Sequence, residues 1–262
     1  MPGTDLRIIP LPTLFKGGKW RVEAMRSYSV DQLIWVTRGQ GRLTVGGVTR
    51  GFGAHNAVFI PAHTTHSFEA AAGVFGMAVF LPADLGLNLP STPCHLRIRE
   101  AQDQNELSIV LDNLLREAES DRPARQTAMQ NHAGLLAVWL ERQRMEHEDS
   151  LAPTTAARRL VRRYAELVER DFHSPASVSD YAGQLGVTST HLTRVCKQTC
   201  GKTASQFLAD RKIAEARRLL ADTGLPVKQI AKGLGFNSPA YFTRAFQGHT
   251  GATPLGFRKS VV

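Results

Sequence analysis

Apolar and polar positions change rhythm twice along this chain. Up to about residue 90, apolar residues come in short runs cut by glycine. Leu33-Ile34-Trp35-Val36 leads into Arg38-Gly39-Gln40-Gly41, then Leu43-Thr44-Val45 and a turn at Gly46-Gly47. Val58-Phe59-Ile60 stops at Pro61, and Val74 to Leu81 forms a further run. Short runs between Gly-rich turns predict the strands of a small β-sandwich or barrel. Ser91-Thr92-Pro93 reads as an exit loop. From about Gln102 the spacing turns helical, with Leu107, Val110, Leu111, Leu114 and Leu115 on one stripe. Pro123 interrupts, and a second helix carries Leu135, Leu136, Val138, Trp139 and Leu140 into a charged end, Glu141 to Asp149. The pair predicts a helical hairpin. Ala152-Pro153-Thr154-Thr155-Ala156 is small and polar, as a linker between domains is. Everything beyond it reads helical, punctuated by Gly and Pro.

The length of 262 residues allows one large domain or two small ones. Hydrophobic residues at 42% and charged residues at 21% fit a globular chain and argue against disorder or a fibrous repeat. Three cysteines are too few for a disulfide framework and fit a reducing compartment. Met1 to Pro10 has no long apolar core, so no secretory signal is expected. The most apolar run, Ala70 to Ala83, is too short for the roughly 20 residues that span a bilayer. The expectation is a cytoplasmic protein with no membrane partner.

Charge changes the picture more. Residues 1–150 carry 15 Lys/Arg and 16 Asp/Glu, a net of −1; residues 151–262 carry 17 and 7, a net of +10. Solubility charge has no reason to segregate by half. A basic module tied to a neutral one points to a polyanion, most often nucleic acid.

The basic half repeats itself. Ala182-Gly183-Gln184-Leu185-Gly186-Val187 aligns with Ala231-Lys232-Gly233-Leu234-Gly235-Phe236 at an offset of 49. Thr193-Arg194 aligns with Thr243-Arg244, and Gly201 with Gly251, at an offset of 50. One residue is therefore inserted in the second copy, near the start of its second helix. Each copy has helix-turn-helix grammar. A small residue (Ala182, Ala231) lets two helices cross closely, and a glycine four residues on (Gly186, Gly235) supplies the positive φ of a sharp turn. Val187 or Phe236 then plugs the crossing. Ser189 and Ser238 are the expected N-caps of the second helices, with Pro239 at the first helical position of copy two. Ser177-x-x-Asp180 reads as a capping box. Leu192, Val195 and Cys196 are expected to face inward in copy one, and Tyr241 or Phe242, Ala245 and Phe246 in copy two. Ser205 to Asp222 lies between the copies. Phe207, Leu208, Ile213, Ala216, Leu219 and Leu220 form its apolar stripe; Arg211, Lys212, Arg217 and Arg218 line the rest. A single stiff helix here would space two recognition helices, which must sit about 34 Å apart to enter successive major grooves on one side of B-DNA.

From Arg158 to Lys259 the chain resembles the AraC/XylS family of bacterial transcription regulators. Its most specific pieces are Ile230-Ala231-Lys232-Gly233-Leu234-Gly235-Phe236, Tyr241-Phe242-Thr243-Arg244-Ala245-Phe246, Gly251-x-Thr253-Pro254 and Phe257-Arg258. Cys196 stands where an aromatic is usual, Gln247 where lysine is frequent, and Ala204 where a proline is expected. The resemblance implies a C-terminal all-α domain with two helix-turn-helix motifs that binds double-stranded DNA. Base and backbone contacts are then expected from Thr190, His191, Thr193, Arg194 and Lys197 in copy one, and from Ala240, Thr243, Arg244 and Gln247 in copy two. Gln198 lies at the margin. Arg194 and Arg244 are the expected base readers. An arginine pairs bidentately with guanine, and one good pair is worth about 1–3 kcal/mol of discrimination. Lys202, Lys228 and Lys232, near helix starts and turns, are expected to meet phosphate.

The strand-rich segment resembles the cupin-like barrel that many family members carry. The residues are Leu33-Ile34-Trp35-Val36-x-Arg38-Gly39-x-Gly41 and Gly53-x4-Val58-Phe59-Ile60-Pro61-Ala62-His63-x-x-His66. Enzymatic cupins bind a metal through an early His-x-His, a downstream Glu and a later His. His66 matches the later ligand, but Ser27 to Gln32 holds no histidine. No metal, cofactor or catalytic residue is expected, and a metal-dependent cupin enzyme is the weaker alternative. The barrel is expected to bind a small-molecule effector near Trp35, His63 and His66. The expected organisation is a multidomain α and β chain. Residues 1–92 form a cupin-like regulatory β-barrel and 93–150 a hairpin that makes a homodimer through Leu107, Leu111, Leu114, Leu135, Val138 and Trp139. Residues 151–157 are a linker and 158–262 the DNA-binding domain. RNA polymerase would be a further partner of an activator.

Overall fold

A computed structural model describes residues 6–15, 20–71, 73–146, 149 and 155–261. The chain opens with β1 (Arg7–Pro10) and two short helices, α1 (Leu11–Phe15) and α2 (Trp20–Glu23). Strands β2 (Asp31–Arg38), β3 (Gly41–Val45), β4 (Val48–Phe52), β5 (Asn56–Ile60), β6 (His66–Ala70), β7 (Phe75–Leu81) and β8 (Cys94–Arg97) follow. They pair antiparallel in two sheets, one ordered β1-β7-β2-β5-β8 and the other β4-β3-β6.

β2 shows why its sequence is apolar without alternation. Ile34 and Val36 point between the sheets, where they meet Leu43, Val45, Phe52 and Phe68. Leu33 and Trp35 point the other way, toward helices. Successive residues of a strand face opposite sides, so a strand covered on both faces reads as an unbroken apolar run. The expected barrel is corrected here. Among the described residues the two sheets are not joined into a closed ladder. Their connections pass through Gly39, Gly53 and Pro61, and proline offers no N–H to a ladder. The segment after residue 92 also still belongs to the sheet, because β8 pairs with β5.

Helices α3 (Ala101–Ala118) and α4 (Arg125–Glu146) form the expected hairpin. It lies on the outer face of the five-stranded sheet. Leu107, Leu111, Leu114 and Trp139 are buried against that sheet, and Trp139 Nε1 donates to the Asp103 carbonyl at 3.1 Å. Those four residues therefore serve the chain's own core and not a partner. Leu135 and Val138 stay 56% and 45% exposed. The expected linker falls largely on residues 151–154, outside the described residues.

The C-terminal half is helical throughout: α5 (Ala156–Asp171), α6 (Val178–Gln184), α7 (Ser189–Cys200), α8 (Ala204–Asp222), α9 (Val227–Gly233), α10 (Pro239–Thr250) and α11 (Pro254–Val261). One core built on Tyr164, Tyr181, Phe207, Phe242 and Phe246 runs through it. Met25, from the N-terminal half, is buried in the same core. The β3–β4 turn also docks on α5. Gly47 has φ 75°, and a Cβ there would fall 2.4 Å from Val161 Cγ1.

Candidate nucleic-acid interface

The pairs α6–α7 and α9–α10 repeat one geometry. Gly186 and Gly235 turn the chain at φ 69° and 70°. Gly235 has a second reason to be glycine, since a Cβ would sit 2.2 Å from the Ser174 carbonyl oxygen. The second helix of each pair is twelve residues long and ends on a left-handed glycine, Gly201 or Gly251. Its N-cap is Ser238 in copy two, as expected, but Thr188 in copy one. Thr188 Oγ1 accepts from the His191 N–H at 3.2 Å, so Ser189 is the first helical residue and not the cap. Caps Thr188 and Ser238 are offset by 50 while the turn glycines are offset by 49. The inserted residue therefore lies in the second turn, between Gly235 and Ser238. The Ser177–Asp180 capping box is present.

Burial sorts the two second helices into an inner and an outer face. Leu192, Val195 and Cys196 are buried in α7, and Phe242 and Phe246 in α10. Aromatic Phe246 fills in α10 the place that Cys196 takes in α7; burial pushes the Cys196 thiol up to about 12, far from a reactive thiolate. Outward lie Thr190, His191, Arg194 and Lys197, and at matched places Ala240, Tyr241, Arg244 and Gln247. Thr193 and Thr243 are half-buried. Arg194 Nη2 reaches His191 Nδ1 at 3.2 Å, which braces the guanidinium along its own helix. Thr243 Oγ1 donates to the Pro239 carbonyl at 2.9 Å. Its hydroxyl proton is thus taken by its own helix. Tyr241 was expected to be a possible inward residue, yet it is 57% exposed beside Arg244. The offset of 50 matches it with His191, and that register identifies it as an outer-face residue.

Lys232, at the end of α9, is exposed, as is Lys228. Lys202 differs: its ammonium pairs with Asp210 at 2.5 Å and is committed within the protein. The spacer is a single helix, α8, opened by a capping box between Thr203 and Gln206. At 1.5 Å per residue its 19 residues span about 28 Å. Two of its basic residues are not on a solvated face. Arg211 and Lys212 are buried; Lys212 Nζ donates to the Ser174 carbonyl at 2.9 Å. That same carbonyl crowds Gly235, so one loop after α5 touches both the spacer and the second turn. Arg258 closes the other end, its guanidinium donating to the carbonyls of Leu220 and Leu225.

Known proteins share this half. The helix-turn-helix domain family matches residues 181–260. The HTH-type transcriptional regulator CdhR of Pseudomonas aeruginosa is 29% identical over 158 residues, which cover 60% of this chain and 46% of CdhR. The probable transcription factor PqrA of Proteus vulgaris is 32% identical over 83 residues, 32% of this chain and 68% of PqrA. The chain belongs to the AraC/XylS family of transcription regulators. It spans between 29% and 46% of the length of the first two curated relatives it matches. Among solved structures, ToxT from Vibrio cholerae O395 is similar with 12% identity and a TM-score of 0.45, covering 98% of each chain.

In this AraC/XylS-family chain the three expected effector residues are not brought together. Trp35 is buried on the hairpin side of its sheet, 6.5 Å from the Trp139 ring. His66 is fully buried, with Nδ1 2.8 Å from the Thr64 carbonyl and its ring beside Tyr28. Burial and the nearby Arg26 charge push His66 down to about 3, so it is neutral. The space between the sheets is packed, with Phe52 stacked on Phe68 at 4.5 Å. Only His63, exposed at φ 56°, borders a large cavity. That cavity, about 650 Å³, lies at the seam between the β-rich half and α5 and α8. Sequence reasoning missed it because its walls come from segments more than a hundred residues apart. Among the described residues no group of three or more His, Cys, Asp or Glu could hold a metal ion, and no helix is long and apolar enough to cross a membrane.

Proposed function

We propose that this protein is a cytoplasmic, sequence-specific transcription regulator. It reads double-stranded DNA with α7 and α10 under the control of a small molecule. The observation that carries this reading is the matched pair Arg194 and Arg244. Each is exposed at the same place on a capped twelve-residue helix, with one rigid helix between the two units. Exposed arginine at mid-helix can reach guanine edges in the major groove. The net +10 of residues 151–262 supplies attraction to phosphate around those helices. Lys197 and Lys232 are the phosphate contacts. Lys202 contributes only if its Asp210 pair opens.

The names of CdhR and PqrA favour a regulator over a metal-dependent cupin enzyme. The effector site moves from the strand interior to the seam cavity, where there is room for a ligand. There it would touch both halves at once. A homodimer would form through Leu135 and Val138, the exposed part of the hairpin stripe. RNA polymerase is a partner if the operator position makes the protein an activator.

Selection of bound sequences from a random duplex pool tests the reading. A two-part motif with centres about one helical turn apart is expected. Recovery of no enriched sequence, or of one short uninterrupted motif, would overturn it.

A further inference from the structure

One carboxylate of the spacer faces the ends of both recognition helices. Asp210 Oδ1 lies 3.6 Å from His249 Nε2, and His249 stands in the last turn of α10. The other oxygen, Oδ2, takes the Lys202 ammonium at 2.5 Å. Lys202 sits between Gly201, which ends α7, and Thr203, which caps α8. The Lys202 side of this arrangement is a finished ion pair. The His249 side lacks one proton. His249 Nδ1 lies 3.0 Å from the Ala245 carbonyl oxygen. A carbonyl only accepts, so Nδ1 carries the ring hydrogen and donates it. In the neutral ring Nε2 is then a bare acceptor, and it faces a carboxylate oxygen, which is an acceptor too. Two acceptors make no hydrogen bond, and 3.6 Å is longer than one. A proton on Nε2 turns the same two atoms into a charged donor and a charged acceptor, whose bonds shorten to about 2.7–2.9 Å.

The charges around the ring come from several elements. α8 supplies Asp210 and also Arg217, which is close enough to feel the Asp210 charge. The turn before α8 supplies Lys202. Lys202 and Arg217 work against a further cation, and Asp210, the group in direct contact, works for it. The carbonyls that end α10 also favour a cation in its last turn. From α11, Arg258 is committed to the carbonyls of Leu220 and Leu225, and Lys259 is exposed. The α9 lysines, Lys228 and Lys232, and Arg244 of α10 itself are exposed as well. Among the described residues no other carboxylate lies within ion-pair distance of the ring.

We propose that His249 is a positioning residue for two-part DNA reading: a proton on Nε2 clamps α10 to the spacer α8 through Asp210, the carboxylate that already holds the end of the first unit. The proposal rests on the reading of α7 and α10 as a DNA-reading pair and adds control of that pair by pH. Imidazole changes charge between pH 5 and 8. With the clamp closed, less freedom is lost when both helices dock, so the two-part site is bound more tightly. That gain is present on the acid side and is lost as the pH rises and the ring gives up its second proton.

Fluorescence anisotropy of the full chain on the selected two-part duplex, at pH 6.0 and 8.0 and equal ionic strength, tests this. The quantity read is the ratio of the two affinities. It is expected to be about threefold larger in the wild type than in His249→Gln or Asp210→Asn, the scale of a partly exposed ion pair. On a duplex that holds only one of the two parts, the three proteins should share one ratio. His249→Lys, which is charged at both pH values, should bind the two-part duplex more tightly than the wild type at pH 8.0, and it carries the test if Asp210→Asn does not fold. A ratio in Asp210→Asn as large as in the wild type would mean that His249 meets phosphate directly, and it overturns the clamp. An unchanged ratio in His249→Gln, or the same loss on the one-part duplex, overturns it too. Preference for the two-part duplex over random DNA, measured on the same preparations, keeps the two claims apart. If that preference holds while the ratios are equal, only the clamp falls. If it is absent, the reading of the DNA-binding pair falls and the clamp with it.

Discussion

Arg211 and Glu169 meet side on, through two hydrogen bonds of 2.7 Å and 3.0 Å, with 4% of the arginine side chain exposed. The pair ties the spacer α8 to α5. The β-rich half joins it: Thr65 Oγ1 donates to the same carboxylate at 3.0 Å, and Ser27 Oγ does so as well. Arg211 also stacks on Phe172, 3.8 Å from the ring centre. A bidentate pair this buried is strong because each partner answers the other's desolvation. It also places one ion pair at the junction of three parts of the molecule.

Breaking that pair from one side should be costly. Arg211→Met leaves Glu169 buried and uncompensated, and a loss of about 3–5 kcal/mol is expected in urea unfolding. The double variant Arg211→Met/Glu169→Leu should lose clearly less than Arg211→Met alone. Equal losses would mean that the pair is not coupled as its geometry requires.

The two turn glycines should differ. Gly186→Ala meets no neighbour and carries only the left-handed backbone cost, about 1–2 kcal/mol. Gly235→Ala carries that cost and a clash with the Ser174 carbonyl. Thermal unfolding should therefore rank Gly235→Ala well below Gly186→Ala. A reversed order would contradict the packing of the loop after α5 on the second turn.

Two buried histidines set an acid limit. Burial pushes His66 down to about 3 and His95 to about 4, against an ordinary 6.5. Below pH 6.5 the unfolded chain binds protons that the folded chain refuses. Stability is therefore full above pH 6.5 and falls as the pH drops toward 4, by up to about 1.4 kcal/mol per pH unit for each histidine. Urea midpoints at pH 7.5, 5.5 and 4.5 should show the decline, and His95→Asn should make it shallower.

Base readers and phosphate contacts leave different signatures. Arg194→Ala and Arg244→Ala should each cost about 1–3 kcal/mol on the selected site and relax preference at one base position. Lys232→Ala should weaken all sequences alike and lower the slope of log affinity against log salt by about one. Fluorescence anisotropy with specific and random duplexes at several salt concentrations separates the two patterns.

The helical half was legible in the sequence because its rules are local. An Ala-to-Gly spacing, a capping box and a residue register fix each turn, and the family motif rests on the same positions. The N-terminal half was legible only in part. Its central strands carry long apolar runs, but β1, β6 and β8 are four or five residues each and are defined by their partners. The hairpin stripe showed which residues are buried, not what buries them; Leu107 and Trp139 would read the same against a second copy. Arg211 and Lys212 fell outside the apolar stripe of their helix, and their burial was not legible because their partners, Glu169 and the Ser174 carbonyl, lie about 40 residues away. The seam cavity was out of reach for the same reason.

The most direct measurement inserts about five base pairs, half a helical turn, between the two parts of the selected operator. With α8 as a rigid spacer, α7 and α10 cannot follow a half-site rotated to the far side of the duplex. Affinity should fall to the level of random DNA, and insertion of a full turn should not restore it. Undiminished binding to the half-turn variant would contradict the account of two recognition helices held at a fixed separation.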